Sequence, residues 1–155
     1  MAIMNGSCRF GLWHVQVTWQ DDLVYRIRFA KTGIDGPVPE EIRRYCAGLP
    51  ADLSTLQSVA TEGDTVYARI YRAVRDVPCG ATATYSDIAR LVGTAPRAVG
   101  TAMARNPTPL LVPCHRIVAK RGIGGFSPDP AIKEALLAME QQRRVCPPDR
   151  GEVNR

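Results

Sequence analysis

The chain has 155 residues, 45% of them hydrophobic, enough for one compact unit or two small subdomains that share an interface. Twenty Lys and Arg against fifteen Asp and Glu give a net charge of +5, a modest bias toward a polyanionic partner. The five cysteines (Cys8, Cys46, Cys79, Cys114, Cys146) are odd in number, widely spaced and without a CxxC pair, which argues against a disulfide framework or a tetrahedral zinc site.

Met1 to Phe10 has neither a basic start nor an apolar h-region, so no signal peptide is expected, and no apolar run reaches membrane-spanning length. A reduced, soluble, intracellular protein is expected, cytoplasmic or, in a eukaryote, nuclear. Trp13, Val15, Val17 and Trp19 alternate with His14, Gln16 and Thr18, and after Gln20-Asp21-Asp22 a second alternation places Leu23, Tyr25, Ile27 and Phe29 on one face. Together they predict a β-hairpin with one face toward a core. His14 falls on the polar face and reads as a solvated strand histidine. Cys8, His14 and Cys46 could meet in space, but their spacing follows no zinc pattern and no metal is expected.

Gly33 to Pro39 is a linker by composition, and Pro39-Glu40-Glu41 opens a short helix through Cys46, closed by Gly48. Val66, Ile70, Val74 and Val77 recur at helical spacing, predicting an amphipathic helix over 65–77 that Pro78 and Gly80 stop. Thr84 and Asp87 match a capping box for a helix running to Gly93, and a second helix follows with Pro96 in its first turn and ends before Pro107. Two short helices joined by a glycine turn have the helix-turn-helix outline. On the second, Arg97, Gly100, Thr101 and Ala104 share one face, with Val99 and Met103 on the other. So little bulk suits either tight packing against a neighbouring helix or insertion into a minor groove about 6 Å wide. Five basic residues (Arg97, Arg105, Arg116, Lys120, Arg121) and no acidic one fall between 97 and 121, which favours the groove.

Leu110-Leu111-Val112 reads as a buried strand that delivers Pro113-Cys114-His115-Arg116 to a loop containing Gly122, Gly124 and Gly125. A free cysteine has a pKa of about 8.5, and His115, Arg116 and Glu140 could supply the base or field that lowers it. On a continuing strand Cys114 and His115 would face opposite ways, so the chain must turn at Pro113 or a water must bridge them. An inert buried cysteine is the other reading of these residues. The last helix starts at Asp129 and Pro130 and packs inward through Ile132, Ala135, Leu136 and Met139. Glu140 lies inside that apolar arc, so it either swings out near the helix end or meets a buried partner, with histidine the obvious candidate. The tail from about 146 looks frayed.

PCHR at 113–116, together with VYARIYRAVRDVPCGATATYSDIA, RAVGTAMARNPTPLLVPCHRIV and KEALLAME, makes the chain resemble the O6-alkylguanine–DNA alkyltransferases over roughly residues 66 to 140. These are also called methylated-DNA–protein-cysteine methyltransferases. The resemblance implies an α+β fold with a small N-terminal sheet domain at 1–62. A mostly helical, winged-helix or helix-turn-helix-like catalytic domain would occupy 63–155. It implies single-turnover transfer of an alkyl group from guanine O6, and possibly O4-alkylthymine, in double-stranded DNA to Cys114, after base flipping through the minor groove. No cofactor and a monomer are expected.

By the same resemblance, His115 is a base acting through water, Glu140 orients it, and Asn106 bridges the helix-turn-helix to the active-site strand. Tyr85 donates to guanine N3, Met103 is the wall beneath the base, and Ser127 meets O6. The carbonyls of Cys114 and Ile117 read the exocyclic amine. Arg97 fills the emptied stack, and Ala98, Gly100, Thr101, Ala104 and Arg105 complete the DNA-facing set. Phe126-Ser127-Pro128-Asp129 stands where the family usually has Tyr-Ser-Gly-Gly, which would stiffen the pocket loop, and Cys79 carries no expected role. The alternatives are a non-catalytic alkylated-DNA-binding relative, against which Cys114 counts, a helix-turn-helix regulator sensing alkylation through its cysteine, and a Cys–His hydrolase.

Overall fold

The computed structural model of the chain describes residues 2–147. Three antiparallel strands open it: β1 (Met4–Phe10), β2 (Trp13–Gln20) and β3 (Leu23–Ala30). The last two are the expected hairpin. The first is an addition, paired with β2 from Met4↔Trp19 to Phe10↔Trp13. It escapes a periodicity reading because only Gly6 in it is buried. A Cβ at Gly6 would collide with the carbonyl oxygens of Gly36 and Pro37, where the chain crosses the strand.

The buried face of β3 also departs from the simple alternation. Val24, Ile27 and Phe29 are buried, whereas Leu23 and Tyr25 are half-buried. The β2–β3 register shifts between Thr18 and Trp19, and a one-residue shift turns the side chains beyond it to the other face. Next, α1 (Glu40–Cys46) buries Ile42, Tyr45 and Cys46 against the sheet side of the core. Then β4 (Gln57–Ser58) joins β3 in parallel, completing the order β1-β2-β3-β4.

The helical half begins with α2 (Val66–Arg75), capped by the Thr65 side chain. Its buried face is Ala68, Ile70, Tyr71 and Val74, while Val66, first in the predicted stripe, is exposed. After β5 (Ala83–Thr84), α3 (Tyr85–Val92) starts on the expected capping box between Thr84 and Asp87. It ends at Gly93, whose φ of 84° is the left-handed conformation glycine tolerates. Then come α4 (Pro96–Ala104), β6 (Ile117–Val118), which pairs in parallel with β5, and α5 (Pro130–Gln141), capped by Asp129. The inward face of α5 is Ile132, Lys133, Leu136 and Glu140. Ala135, expected in that stripe, is exposed.

Leu110, Leu111 and Val112 are buried as expected, but they form no strand. Pro107, Pro109 and Pro113 remove the donors a ladder needs, and Leu110 turns the chain with φ 78°. Asn106 replaces the ladder locally: its Nδ2 donates to Val112 O at 2.8 Å and its Oδ1 accepts from Thr108 N at 3.0 Å. The segment separates two cores. One joins the sheet and α1 to Leu110, Leu111, Ile132 and Leu136; the other gathers α2, α3 and α4 around Val112 and Ile117.

Two cysteine expectations are corrected. Cys79 and Cys146 form a disulfide across 67 residues, because the segments after α2 and after α5 are brought together, a proximity that spacing along the chain does not reveal. Val145 and Cys146 are accordingly buried rather than frayed, and the rest of the expected tail, 148–155, lies outside the described residues. Cys8, Cys46 and Cys114 are free thiols, and no group of metal-ligating side chains occurs among the described residues. No described helix is long and apolar enough to cross a membrane.

Candidate active site

Cys114 opens a single 3-10 turn, Cys114–Arg116, rather than ending a strand. Cys114 N donates back to Val112 O at 2.7 Å and Arg116 N to Pro113 O at 2.9 Å. Adjacent side chains on such a turn no longer alternate across a sheet, so the chain does turn at Pro113. The turn sends Cys114 to the wall of a cleft of about 660 Å³ and buries His115 and Arg116 behind it.

Behind that wall lies a closed ionic network around Glu140, which is fully buried at 0% exposure. His115 Nε2 lies 2.7 Å from Glu140 Oε2, and the Tyr45 hydroxyl donates to the same oxygen at 2.5 Å. Arg116 donates from Nε to Oε1 and from Nη2 to Oε2, each at 2.9 Å, and from Nη1 to Val77 O at 2.8 Å. The carboxylate that stood out on the helical wheel thus has its histidine partner. Burial would push its carboxyl up, but the hydrogen bonds from His115 and Arg116 outweigh it and hold Glu140 well below the ordinary carboxylate range.

Facing a carboxylate, Nε2 of His115 is the protonated nitrogen and Nδ1 carries the lone pair. Nδ1 is buried and has no hydrogen-bond partner among the described residues. Burial pushes the imidazole below its ordinary pKa, only partly offset by Glu140, so His115 is neutral at pH 7. The Cys114 thiol is pushed up by burial, against a hydrogen bond from Asn106 and the charge of Lys133. The lowered thiol pKa expected from its neighbours is therefore absent in the resting site. Arg116, whose charge was to lower it, is committed to Glu140.

Tyr85, Met103, Asn106 and Ser127 line the cleft with Cys114, and Gly100, Ala104 and Arg105 form its α4 rim. Met103, assigned to the inner face of α4, is half-buried and reaches the cleft. Ile117 lies behind the wall, fully buried. Arg97 is exposed and Ala98 and Thr101 are partly so, on α4 outside the cleft. Val99 and Ala102 are buried inward, and Tyr71 OH donates to Ala102 O at 2.8 Å, which fixes the helix from behind. A Cβ at Gly100 would meet nothing within 4 Å, so the lean face looks into open space and not onto a neighbouring helix. Of the five basic residues at 97–121, Arg116 is withdrawn into the Glu140 network, leaving four exposed.

Two contributors, Lys133 and Tyr45, were missed by the sequence reading. Lys133 is buried at 1% exposure; its Nζ donates to Ile117 O at 2.6 Å and to Gly125 O at 3.3 Å, tying α5 to the turn and the glycine loop. Lys133 and Glu140 lie seven residues apart, two turns along one face of α5, and that pairing of charges on an apolar face was a readable signal. Tyr45 comes from α1, 95 residues from Glu140, and nothing local announces it. Gly124, with φ 80°, approaches so closely that a Cβ there would stand 2.9 Å from the Tyr85 hydroxyl. Burial pushes Tyr85 up from its ordinary pKa, with the neighbouring Cys114 adding to it, so the phenol keeps its proton. Phe126, Ser127 and Pro128 form a cleft wall that leaves the cavity open.

Fold and site define an α+β protein with a small sheet at one end, a helix-turn-helix at the other and a cysteine in the cleft between them. The sequence profile of the 6-O-methylguanine DNA methyltransferase DNA-binding domain matches residues 65–142, and the chain belongs to that family. A methylated-DNA–protein-cysteine methyltransferase of Metallosphaera sedula is 53% identical over 72 residues, 46% of either chain. The chain thus spans about half the length of the curated relatives it matches. In fold it is similar to the O6-methylguanine methyltransferase of Mycobacterium tuberculosis, with a TM-score of 0.75 at 24% identity over 98% of this chain and 99% of that one. A structure of M. tuberculosis OGT in complex with DNA aligns with TM-score 0.73 and 25% identity over 90% of this chain and 93% of that one.

Proposed function

We propose that the protein repairs O6-alkylguanine in double-stranded DNA by moving the alkyl group onto Cys114 in one irreversible turnover. The observation that carries this is the placement of the Cys114 thiol on the cleft wall, with a neutral, carboxylate-anchored imidazole in the next residue. The names of the relatives and a solved DNA complex of one fold neighbour support the same reading.

In the proposed reaction α4 enters the minor groove, and the alkylated nucleotide turns out of the stack into the cleft, at a cost of a few kcal/mol. Arg97, exposed near the start of α4, offsets part of that cost by filling the gap. Gly100, Thr101, Ala104 and Arg105, with Ala98, lie along the groove. Met103 packs beneath the base, Ser127 meets O6, and the carbonyls of Cys114 and Ile117 select the exocyclic amine.

The Sγ–C bond forms as the O6–C bond breaks. The thiol proton passes through a water to His115 Nδ1, while the Tyr85 hydroxyl protonates guanine N3, so the base leaves neutral. The imidazolium then returns its proton to the tyrosinate through solvent, and Glu140 stabilises the imidazolium while it exists. Because the resting thiol is protonated, the thiolate arises only as His115 accepts its proton. Asn106 holds the turn and hydrogen-bonds the thiol.

The decisive experiment is mass spectrometry after incubation with a duplex containing O6-methylguanine. One methyl group per chain is expected, on Cys114, and none in Cys114→Ala. Methylation of another cysteine, or none with a folded protein, overturns the proposal.

A further inference from the structure

The cleft has a second rim that the helix-turn-helix does not supply. Arg26, Ile27, Arg28 and Phe29 of β3 line it opposite α4. They are brought there because β4 pairs only with Leu23 and Val24, leaving the remaining edge of β3 free, and Ile27 N uses that edge to donate to Pro107 O at 2.9 Å. Ile27 is buried, so by strand alternation Arg26 and Arg28 project from the outer face on either side of it, and both are exposed.

These two guanidinium groups make no hydrogen bond or ion pair with any described residue. Other arginines on this half are tied down: Arg9 to Gly11 O, Arg43 to Glu40 and Arg44 to Pro50 O. With Arg105 across the opening, the cleft lining carries three arginines and no carboxylate. Three unneutralised cations around one opening repel one another unless an anion joins them, and the planar guanidinium fork matches a phosphate in particular.

We propose that Arg26 and Arg28 bind backbone phosphates of the DNA strand that carries the extruded nucleotide, so that the DNA interface runs past the helix-turn-helix onto the N-terminal sheet. The inference rests on the alkyltransferase reading and adds a grip that the reading does not contain. When a nucleotide swings into the cleft, its flanking phosphates are drawn to the opening. The α4 helix meets the strand on one side of that opening, and the outer face of β3 meets it on the other. The strand is then held on both sides of the extruded residue.

Counterion release makes this measurable, since each phosphate contact contributes about 0.9 to the slope of log affinity against log salt on duplex DNA. The full chain carrying Cys114→Ser, which cannot accept the alkyl group, is titrated by fluorescence anisotropy against a labelled O6-methylguanine duplex over a salt series. Adding Arg26→Gln and Arg28→Gln together should reduce the slope by about 2. Adding Arg26→Lys and Arg28→Lys, which keeps the charges, should leave it near the parent value. An unchanged slope in the Gln pair overturns the inference, as does a weakened affinity at constant slope or a Lys pair that behaves like the Gln pair. Failure of the alkyltransferase reading shows separately, as an unmethylated Cys114 in the wild-type chain.

Discussion

The two sides of Cys114 are built on opposite plans. Behind it, Glu140, His115, Arg116 and Tyr45 form a sealed cluster in which both carboxylate oxygens are taken up. In front, Gly100 faces open space and Arg26, Arg28, Arg97 and Arg105 are exposed. Buried charge without partners is costly, so the rear must be complete before any substrate arrives. Exposed cations lose little by waiting, so the front can leave its partners to the ligand. The contrast separates stability from recognition: damage behind the cysteine should appear first as unfolding, and damage in front as weaker or slower engagement of DNA.

The largest effect should come from opening the sealed side. Glu140→Gln removes the charge that Arg116 needs, and breaking a buried pair costs about 3–5 kcal/mol, read as a fall in the thermal midpoint at pH 7. The folded-state carboxyl is held below its unfolded value, so its contribution is complete above about pH 4.3 and is lost as pH falls toward the folded value. The gap between wild type and variant should therefore close in acid. A constant gap down to pH 3 would mean that Glu140 is not held as an anion.

Reducing the Cys79–Cys146 disulfide, which closes the rear from the α2 side, should cost about 2–4 kcal/mol with little change in the rate of transfer to Cys114. A large loss of rate at unchanged stability would break the division between the two sides. On the front, Arg97→Ala should slow repair of duplex DNA roughly tenfold, about 1.4 kcal/mol, and slow reaction with free O6-benzylguanine much less. Equal losses on both substrates would remove Arg97 from base extrusion.

The smallest expected effect is a near-constant rate. His115 is held below its ordinary pKa and the Cys114 thiol above its own, so between about pH 6.5 and 8.5 the pair stays as neutral imidazole and thiol. Transfer should change less than about twofold across that window. A rise approaching tenfold per pH unit would show attack by a thiolate formed in advance.

Local signals in the chain were reliable wherever structure depends on neighbours in sequence. The Thr84–Asp87 capping box, the Gly93 stop, the Asp129-Pro130 start and the pairing of β2 with β3 all depend on residues within one turn or one strand pair, and they stand as read, apart from the start of β3, where the register shift changes the buried face. The inward carboxylate at Glu140 was legible from the helical wheel because its neighbours on α5 are apolar. What failed had no periodicity to show, a local override of an apolar run, or a partner far along the chain. β1 has no buried alternation to display, the prolines at 107, 109 and 113 override an apolar run that looks like a strand, and the Cys79–Cys146 bond joins segments 67 residues apart. Arg116 read as part of a surface charge run because nothing near it in sequence shows that Glu140 waits behind it.

The hydroxyl of Tyr45 has a consequence for protein engineering. It reaches from α1 into the cluster at Glu140, yet α1 lies outside the 65–142 stretch that the family profile covers. Chimeras that join this helical half to a foreign leading half would inherit Cys114 and His115 but forfeit a donor to the Glu140 carboxylate. Exchanging halves among relatives should therefore succeed only where the incoming piece carries a phenol at the matching place, a rule that library designers can apply before any clone is made.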